Sequence, residues 1–154
     1  MNNVIFSSKQ AETEYVARAD TENPLSSFSH YEFELDGHTW PSVEHYYQAM
    51  KFLDDALQND ILNSAQASDA QQLAKKHKRK IREDWKTIKT TVMTRAIYTK
   101  CMTHPVVKEK LLSTNDARIV ENSQYDYFWG CGRDGRGENT YGKILMDVRE
   151  KLKG

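Results

Sequence analysis

The sequence predicts a mainly helical α+β domain with a small antiparallel β-sheet near the N-terminus. Three observations carry this prediction. Tyr31-Glu32-Phe33-Glu34-Leu35 alternates with period two and runs into Asp36-Gly37, a tight-turn pair. After Pro41, apolar residues recur at three- and four-residue steps in several separate stretches. Residues that cap or break helices stand between those stretches. A length of 154 residues fits one domain, spanning 1–154.

In chain order, Val4-Ile5-Phe6 is a short apolar run that reads as extended. The Tyr31–Leu35 segment continues through the turn toward Trp40 as a hairpin. Pro41 suits a first helical turn, with Thr39 or Ser42 as the cap, and the helix is expected from about Ser42 to about Leu57. Ser68-Asp69-Ala70-Gln71 matches a capping box and starts a second helix. Asp84 caps a third, whose face is Trp85, Ile88, Val92 and Ala96. Pro105 breaks it and opens a short helix through Leu112. A last helix, from about Tyr141, carries Ile144, Leu145, Val148 and Leu152 on one face.

Composition removes several function classes. Twenty-two basic residues balance 22 acidic ones, against a strong non-specific nucleic-acid binder. Aromatic content of 10% argues for a real core and against disorder. No run of about 18 apolar residues occurs, so no membrane helix is expected, and the first residues lack a signal-peptide pattern. Cys101 and Cys131 form neither a disulfide framework nor a metal knuckle, and a reduced cytoplasmic setting is the expected location.

Two segments concentrate chemistry. On the expected helix, Val43, Tyr46, Tyr47, Ala49, Met50, Phe52 and Leu53 occupy most of the circumference, leaving Glu44, Gln48, Lys51 and Asp55 as a narrow polar stripe. The stripe faces either a strip of solvent, the commoner arrangement, or the inside of a pocket. Glu44 and Lys51 would be roughly 10.5 Å apart along such a helix, too far for an ordinary pair but within reach of one ligand. A carboxylate in an apolar setting would have a raised pKa suited to proton transfer. A lysine there would hold a phosphate or, desolvated, attack a carbonyl carbon.

The second segment is Asn122 to Asn139. Five of the seven glycines (Gly130, Gly132, Gly135, Gly137, Gly142) lie in or just beyond it, beside Tyr125, Tyr127, Phe128 and Trp129. A loop with both glycines and aromatics is a ligand-site candidate, and a plain turn with aromatics packed beneath it is the equal alternative. Asp126 would bind a ribose hydroxyl or stabilise positive charge on a sugar. Asn139 would donate to the same ligand or cap the last helix. Neither a Walker A loop nor a strand followed by GxGxxG is present.

Lys75-Lys76-His77-Lys78-Arg79-Lys80-Ile81-Arg82 holds six of the 22 basic residues. It reads mainly as a solvated helix end, with a phosphate or nucleic-acid contact as the alternative. The histidines show no metal spacing, Cys131 has no evident paired base, and GxSxG is absent.

Trp40-Pro41-Ser42-Val43-Glu44-His45-Tyr46-Tyr47-Gln48-Ala49-Met50-Lys51-Phe52, Arg82-Glu83-Asp84-Trp85, Asp126-Tyr127-Phe128-Trp129-Gly130 and Gly135-Arg136-Gly137-Glu138-Asn139, in that order, resemble the NADAR family, also called YbiA-like. The resemblance spans nearly the whole chain, from around Phe6-Ser7 to Leu145–Arg149. It implies the YbiA-like fold and an N-glycosidase that needs no cofactor and no metal. One branch of the family hydrolyses ribosylaminopyrimidine phosphates of the riboflavin pathway and releases ribose 5-phosphate. Another removes ADP-ribose from modified guanine in nucleic acid. By this resemblance Glu44 is the catalytic acid/base, Lys51 the active-site lysine open to an imine route, and Asp126 a further catalytic residue. Tyr47, Gln48, Trp85, Trp129, Gly130 and Asn139 are the implied substrate-binding residues. Ser27 stands where the family often has Asn, a shorter side chain that bears on substrate choice if the position meets ligand.

The expected reaction is hydrolysis of a ribose C1–N bond in a small phosphoribosyl substrate, with the sugar between the Glu44 helix and the Asp126–Asn139 loop. ADP-ribosylated guanine in nucleic acid is the alternative substrate. A non-catalytic module binding ADP-ribose or a nucleotide is the alternative class.

Overall fold

The computed structural model describes residues 12–154. The Val4-Ile5-Phe6 run and the Phe6-Ser7 start of the family resemblance lie outside the described residues. Two compact units are present, one of residues 17–110 and one formed by the N-terminal segment through Val16 together with Leu111–Gly154.

The 17–110 unit begins with an irregular stretch whose turn at Leu25–Ser29 is buried. The hairpin follows as expected, with β2 (Phe33–Leu35) antiparallel to β3 (His38–Trp40) and Phe33 opposite Trp40. Asp36 and Gly37 both take positive φ, 52° and 81°, the backbone that a two-residue hairpin turn requires. β1 (Thr13–Val16) belongs to the other unit and is described with it.

Helix α1 (Val43–Ala49) follows, capped by Ser42, whose Oγ accepts the His45 N–H at 3.1 Å. All seven of its residues are buried, polar ones included, with α2 (Asp55–Leu62), α3 (Ala67–Lys76) and α4 (Trp85–Thr103) packed against it. Its buried histidine is satisfied inside the core. The Ser42 hydroxyl meets His45 Nδ1 at 2.7 Å and Nε2 meets the Ser64 carbonyl at 3.0 Å. Burial holds that imidazole below its ordinary pKa, and the neutral ring with its proton on Nε2 fits both bonds.

The single helix expected over 42–57 is two helices. The Lys51 carbonyl accepts the Arg82 N–H at 2.8 Å, the Phe52 carbonyl accepts Gln58 Nε2 at 2.7 Å, and Asp54 Oδ1 caps α2 through the Leu57 N–H at 3.1 Å. These bonds replace the helical ladder across residues 50–54, so Lys51 lies in the turn after α1 and not on it.

The next two helix starts also differ in detail. α3 begins at Ala67, one residue early, with the Asp69 carboxylate accepting the Gln66 N–H at 3.2 Å. Asp84 precedes α4, but Arg82 takes its carboxylate (Nε–Oδ1 2.6 Å) in place of a capping bond. His104 ends α4, and Pro105 opens α5 (Pro105–Leu112), within which the chain leaves this unit.

In the other unit, β1 pairs in parallel with β4 (Arg118–Glu121), Val16 opposite Glu121. This parallel pair is additional to the antiparallel sheet that the sequence predicts. α6 (Thr140–Lys153) packs on β4 through Tyr141, Ile144, Leu145 and Val148. Among the described residues no helix is long and apolar enough to cross a membrane.

Candidate active site

Glu44 is the centre of the 17–110 unit's polar cluster. Its carboxylate is fully buried. Oε1 accepts Arg18 Nη2 at 2.7 Å and the Ser27 hydroxyl at 2.9 Å, and Oε2 accepts Gln48 Nε2 at 2.6 Å. Arg18 Nε reaches Ser27 Oγ at 3.3 Å, closing a three-residue ring of bonds. Burial by itself would raise the Glu44 pKa. The adjacent guanidinium charge and the three donors outweigh it and hold the carboxyl below the ordinary range. The sequence expectation was the opposite, a raised pKa, because neither Arg18 nor the Ser27 bond is visible in the helical pattern. Glu44 is thus a carboxylate, equipped to accept a proton or stabilise a cation.

Gln48 is nearly as buried, and its Oε1 has no hydrogen-bond partner. An ionised Glu44 is acceptor-only, so the amide must turn its nitrogen toward it and leave the oxygen over. Of the expected polar stripe, Glu44 and Gln48 therefore face inward, Lys51 is half-buried in the turn that follows, and Asp55, at the start of α2, is exposed.

Around this carboxylate stand two cations and two rings. Lys51 Nζ lies 5.5 Å from the Tyr47 ring centroid, and the Arg18 guanidinium carbon 5.7 Å from it. Tyr47 packs on Trp85 with centroids 5.1 Å apart. Burial lowers the Lys51 pKa. The Glu44 charge opposes that shift, while Arg18 and Lys89 reinforce it. Tyr47 and Trp85 are buried, so in this structure Tyr47 packs between the cations and Trp85 and neither ring offers an open stacking surface. Glu44, Tyr47, Gln48, Lys51 and Trp85 are brought together. Arg18 was missed because nothing in its local sequence marks it.

The remaining implied site residues lie in the other unit. Asp126 Oδ1 accepts the N–H groups of Phe128 (3.0 Å) and Trp129 (2.8 Å), which shapes the turn leading into Trp129, whose ring is buried. Gly130 sits where a Cβ would collide with Glu121 Oε1. Asn139 takes a left-handed φ of 53° and spends its amide on β4, accepting from Glu121 N at 2.8 Å and donating to the Ile119 carbonyl at 2.9 Å. It precedes α6 without a side-chain capping bond. Glu121, a buried carboxylate that sequence reasoning missed, accepts the N–H and hydroxyl of Ser123 at 2.9 and 2.6 Å. The basic run lies at the end of α3 and in the 3₁₀ turn Lys78–Lys80, with its lysines and Arg79 exposed.

The NADAR domain family matches residues 6–153. An N-glycosidase of Nostoc punctiforme, Npun_R5314, is 41% identical over 132 residues, covering 84% of this chain and 85% of that one. The N-glycosidase YbiA of Escherichia coli is 33% identical over 138 residues, covering 90% and 86%. The NMR structure of that E. coli protein superposes with a TM-score of 0.84 at 32% identity, over 94% of this chain and 86% of that one. The riboflavin biosynthesis protein VVA0006 of Vibrio vulnificus is 40% identical over 128 residues, 83% of this chain and 35% of that longer one. The chain belongs to the NADAR family and is an N-glycosidase.

Proposed function

We propose that this N-glycosidase hydrolyses the ribose C1–N bond of a ribosylaminopyrimidine phosphate and releases ribose 5-phosphate. The observation that carries the reading is the buried, ionised Glu44 beside an amine whose pKa is lowered. The Vibrio relative, of which this chain matches 35%, is named a riboflavin biosynthesis protein, and that name supports a substrate from riboflavin biosynthesis.

Breaking a C1–N bond builds positive charge on the ribose ring, as in glycoside cleavage generally. A carboxylate fixed in the folded protein meets that charge without reorganising. Being ionised, Glu44 serves as charge stabiliser and as the base that takes a proton from attacking water. In the imine route Lys51, as a neutral amine, attacks C1 while the C1–N bond to the pyrimidine breaks and the leaving nitrogen keeps its electron pair and takes a proton. The ring oxygen then accepts a proton as C1 and Nζ form the imine. Water adds at C1, and the sugar departs as the free aldehyde with Lys51 restored. Burial of Lys51 favours this route by enlarging its neutral fraction.

The second reading, removal of ADP-ribose from guanine in nucleic acid, has the exposed Lys75–Lys80 run in its favour. One product assay separates the two. Wild type and Glu44→Gln are each incubated with 5-amino-6-ribosylaminouracil 5′-phosphate and with guanine-ADP-ribosylated DNA, and products are read by mass spectrometry. Ribose 5-phosphate from the first, abolished in Glu44→Gln, is the expected result. ADP-ribose from the second alone overturns the pyrimidine assignment, and binding of either without product overturns turnover of these substrates.

A further inference from the structure

Lys100 is a buried amine with no carboxylate partner among the described residues. It projects from α4 and is 2% exposed. Its Nζ donates to the Ser26 carbonyl at 2.9 Å and to Ser29 Oγ at 3.0 Å, and lies 5.2 Å from the Tyr31 ring centroid. Burial pushes its pKa down to about 7, and among the described residues no carboxylate acts on its ionisation. An ammonium in such a place is costly, and a methionine would fill the same volume without that cost. What the lysine adds is a set of donors aimed at one short turn.

That turn carries Ser27 to Glu44. The Ser26 carbonyl and the Ser27 nitrogen belong to one planar peptide, so holding Ser26 O orients Ser27. On its far flank the Ser29 hydroxyl, itself held by Lys100, donates to Ser26 O at 2.8 Å. Between these anchors the Ser27 carbonyl accepts the Glu44 N–H at 2.9 Å, while the Ser27 hydroxyl donates to Glu44 Oε1. The next residue, Phe28, donates its N–H to the Arg18 carbonyl at 3.1 Å. The turn therefore sets the position of both main partners of the carboxylate.

We propose that Lys100 is a positioning residue for Glu44, fixing from behind the Leu25–Ser29 turn through which Ser27 and Arg18 grip the carboxylate. This inference rests on the assignment of Glu44 as the catalytic carboxylate, and its test has a readout independent of substrate. Lys100→Met is compared with wild type and with Val107→Ala, a buried truncation in α5 expected to lower stability while removing none of the turn's hydrogen bonds. The Glu44 carboxyl is titrated by carbon-13 NMR. Turnover is measured on 5-amino-6-ribosylaminouracil 5′-phosphate.

In Lys100→Met the Glu44 titration moves to higher pH and kcat falls at least tenfold with KM within twofold of wild type. Val107→Ala leaves the titration in place. The deficits of Lys100→Met and Ser27→Ala combine to less than their product, because both act through Ser27. A folded Lys100→Met with an unmoved Glu44 titration overturns the proposal. If Lys100→Met does not fold, Ser29→Ala takes its place, with a higher Glu44 titration expected and an unmoved one overturning. If wild type releases no ribose 5-phosphate while the titration still rises in Lys100→Met, the substrate reading fails and the positioning role stands.

Discussion

Arg18 Nη2 lies 2.7 Å from Glu44 Oε1, and this pair joins an irregular segment before the hairpin to the most buried helix of its unit. Arg18 is 11% exposed and Glu44 not at all, so neither charge is well solvated. Removing one partner of such a pair strands the other.

Arg18→Met is accordingly expected to destabilise the protein by about 3 kcal/mol and to raise the Glu44 pKa. The wild-type pair has a definite pH signature. The folded pKa of Glu44 is depressed, so the pair's contribution is fully present above the unfolded carboxyl pKa and is lost as pH falls through the folded value. Urea midpoints measured from neutral to acid pH should fall less steeply in Arg18→Met than in wild type. Parallel curves would show that the pair contributes nothing to this dependence.

Lys51 separates two routes that use the same site. Its pKa is lowered by burial, so its nucleophilic fraction grows as pH rises through that lowered value. Borohydride during turnover should trap a ribosyl adduct on Lys51, with yield rising over that pH range. Lys51→Arg keeps the charge and forms no imine, and turnover should fall about 100-fold or more. Near-wild-type turnover in Lys51→Arg, with no adduct in wild type, would assign direct attack by water.

The hairpin tip is tied to two helices of its unit. The Tyr46 hydroxyl donates to Asp36 Oδ2 at 2.6 Å, and Arg95 Nη2 donates to Oδ1 at 3.0 Å. Asp36→Ala loses both bonds and puts alanine at a positive φ, for an expected cost of about 2 kcal/mol in thermal or urea unfolding. Asp36→Asn tolerates the backbone and should lose less. An equal loss in both variants would place the effect wholly in the charge.

Asn139 is expected to behave as a structural residue of its unit. Asn139→Ala leaves the buried Ile119 carbonyl and Glu121 N–H without their side-chain partner and strains φ, costing about 2–4 kcal/mol by chemical denaturation. Asn139→Gly relieves the strain but not the lost bonds, so it should recover only part. Wild-type stability in Asn139→Ala would refute this role.

The fold was legible where the signal was local. Period-two alternation with Asp36-Gly37 specified the hairpin, and Pro105 and the apolar steps placed α4, α5 and α6. Ser42 was legible as a cap because its hydroxyl acts on a neighbour three residues away. The pairing of β1 with β4 was not legible, since Thr13–Val16 meets a partner about 100 residues distant and four-residue strands carry little pattern. The break after α1 was hidden for the same reason. It depends on Arg82 and Gln58 taking the Lys51 and Phe52 carbonyls, and a helical wheel does not show competing acceptors and donors from elsewhere.

For the site, the sequence by itself determined that Glu44, Gln48 and Lys51 lie within two turns of chain beside Tyr47, in an order that resembles one family. Composition and periodicity left open which way that polar stripe faced. Tertiary structure decided it by burying α1 on all sides, so that its polar groups had to find partners inside the protein. Tertiary structure also decided the charge of Glu44. Burial alone would raise the carboxyl's pKa, and the guanidinium of Arg18 with the hydrogen bonds of Arg18 and Ser27, brought from outside the helix, joins Gln48 on the helix itself in holding it below the ordinary range.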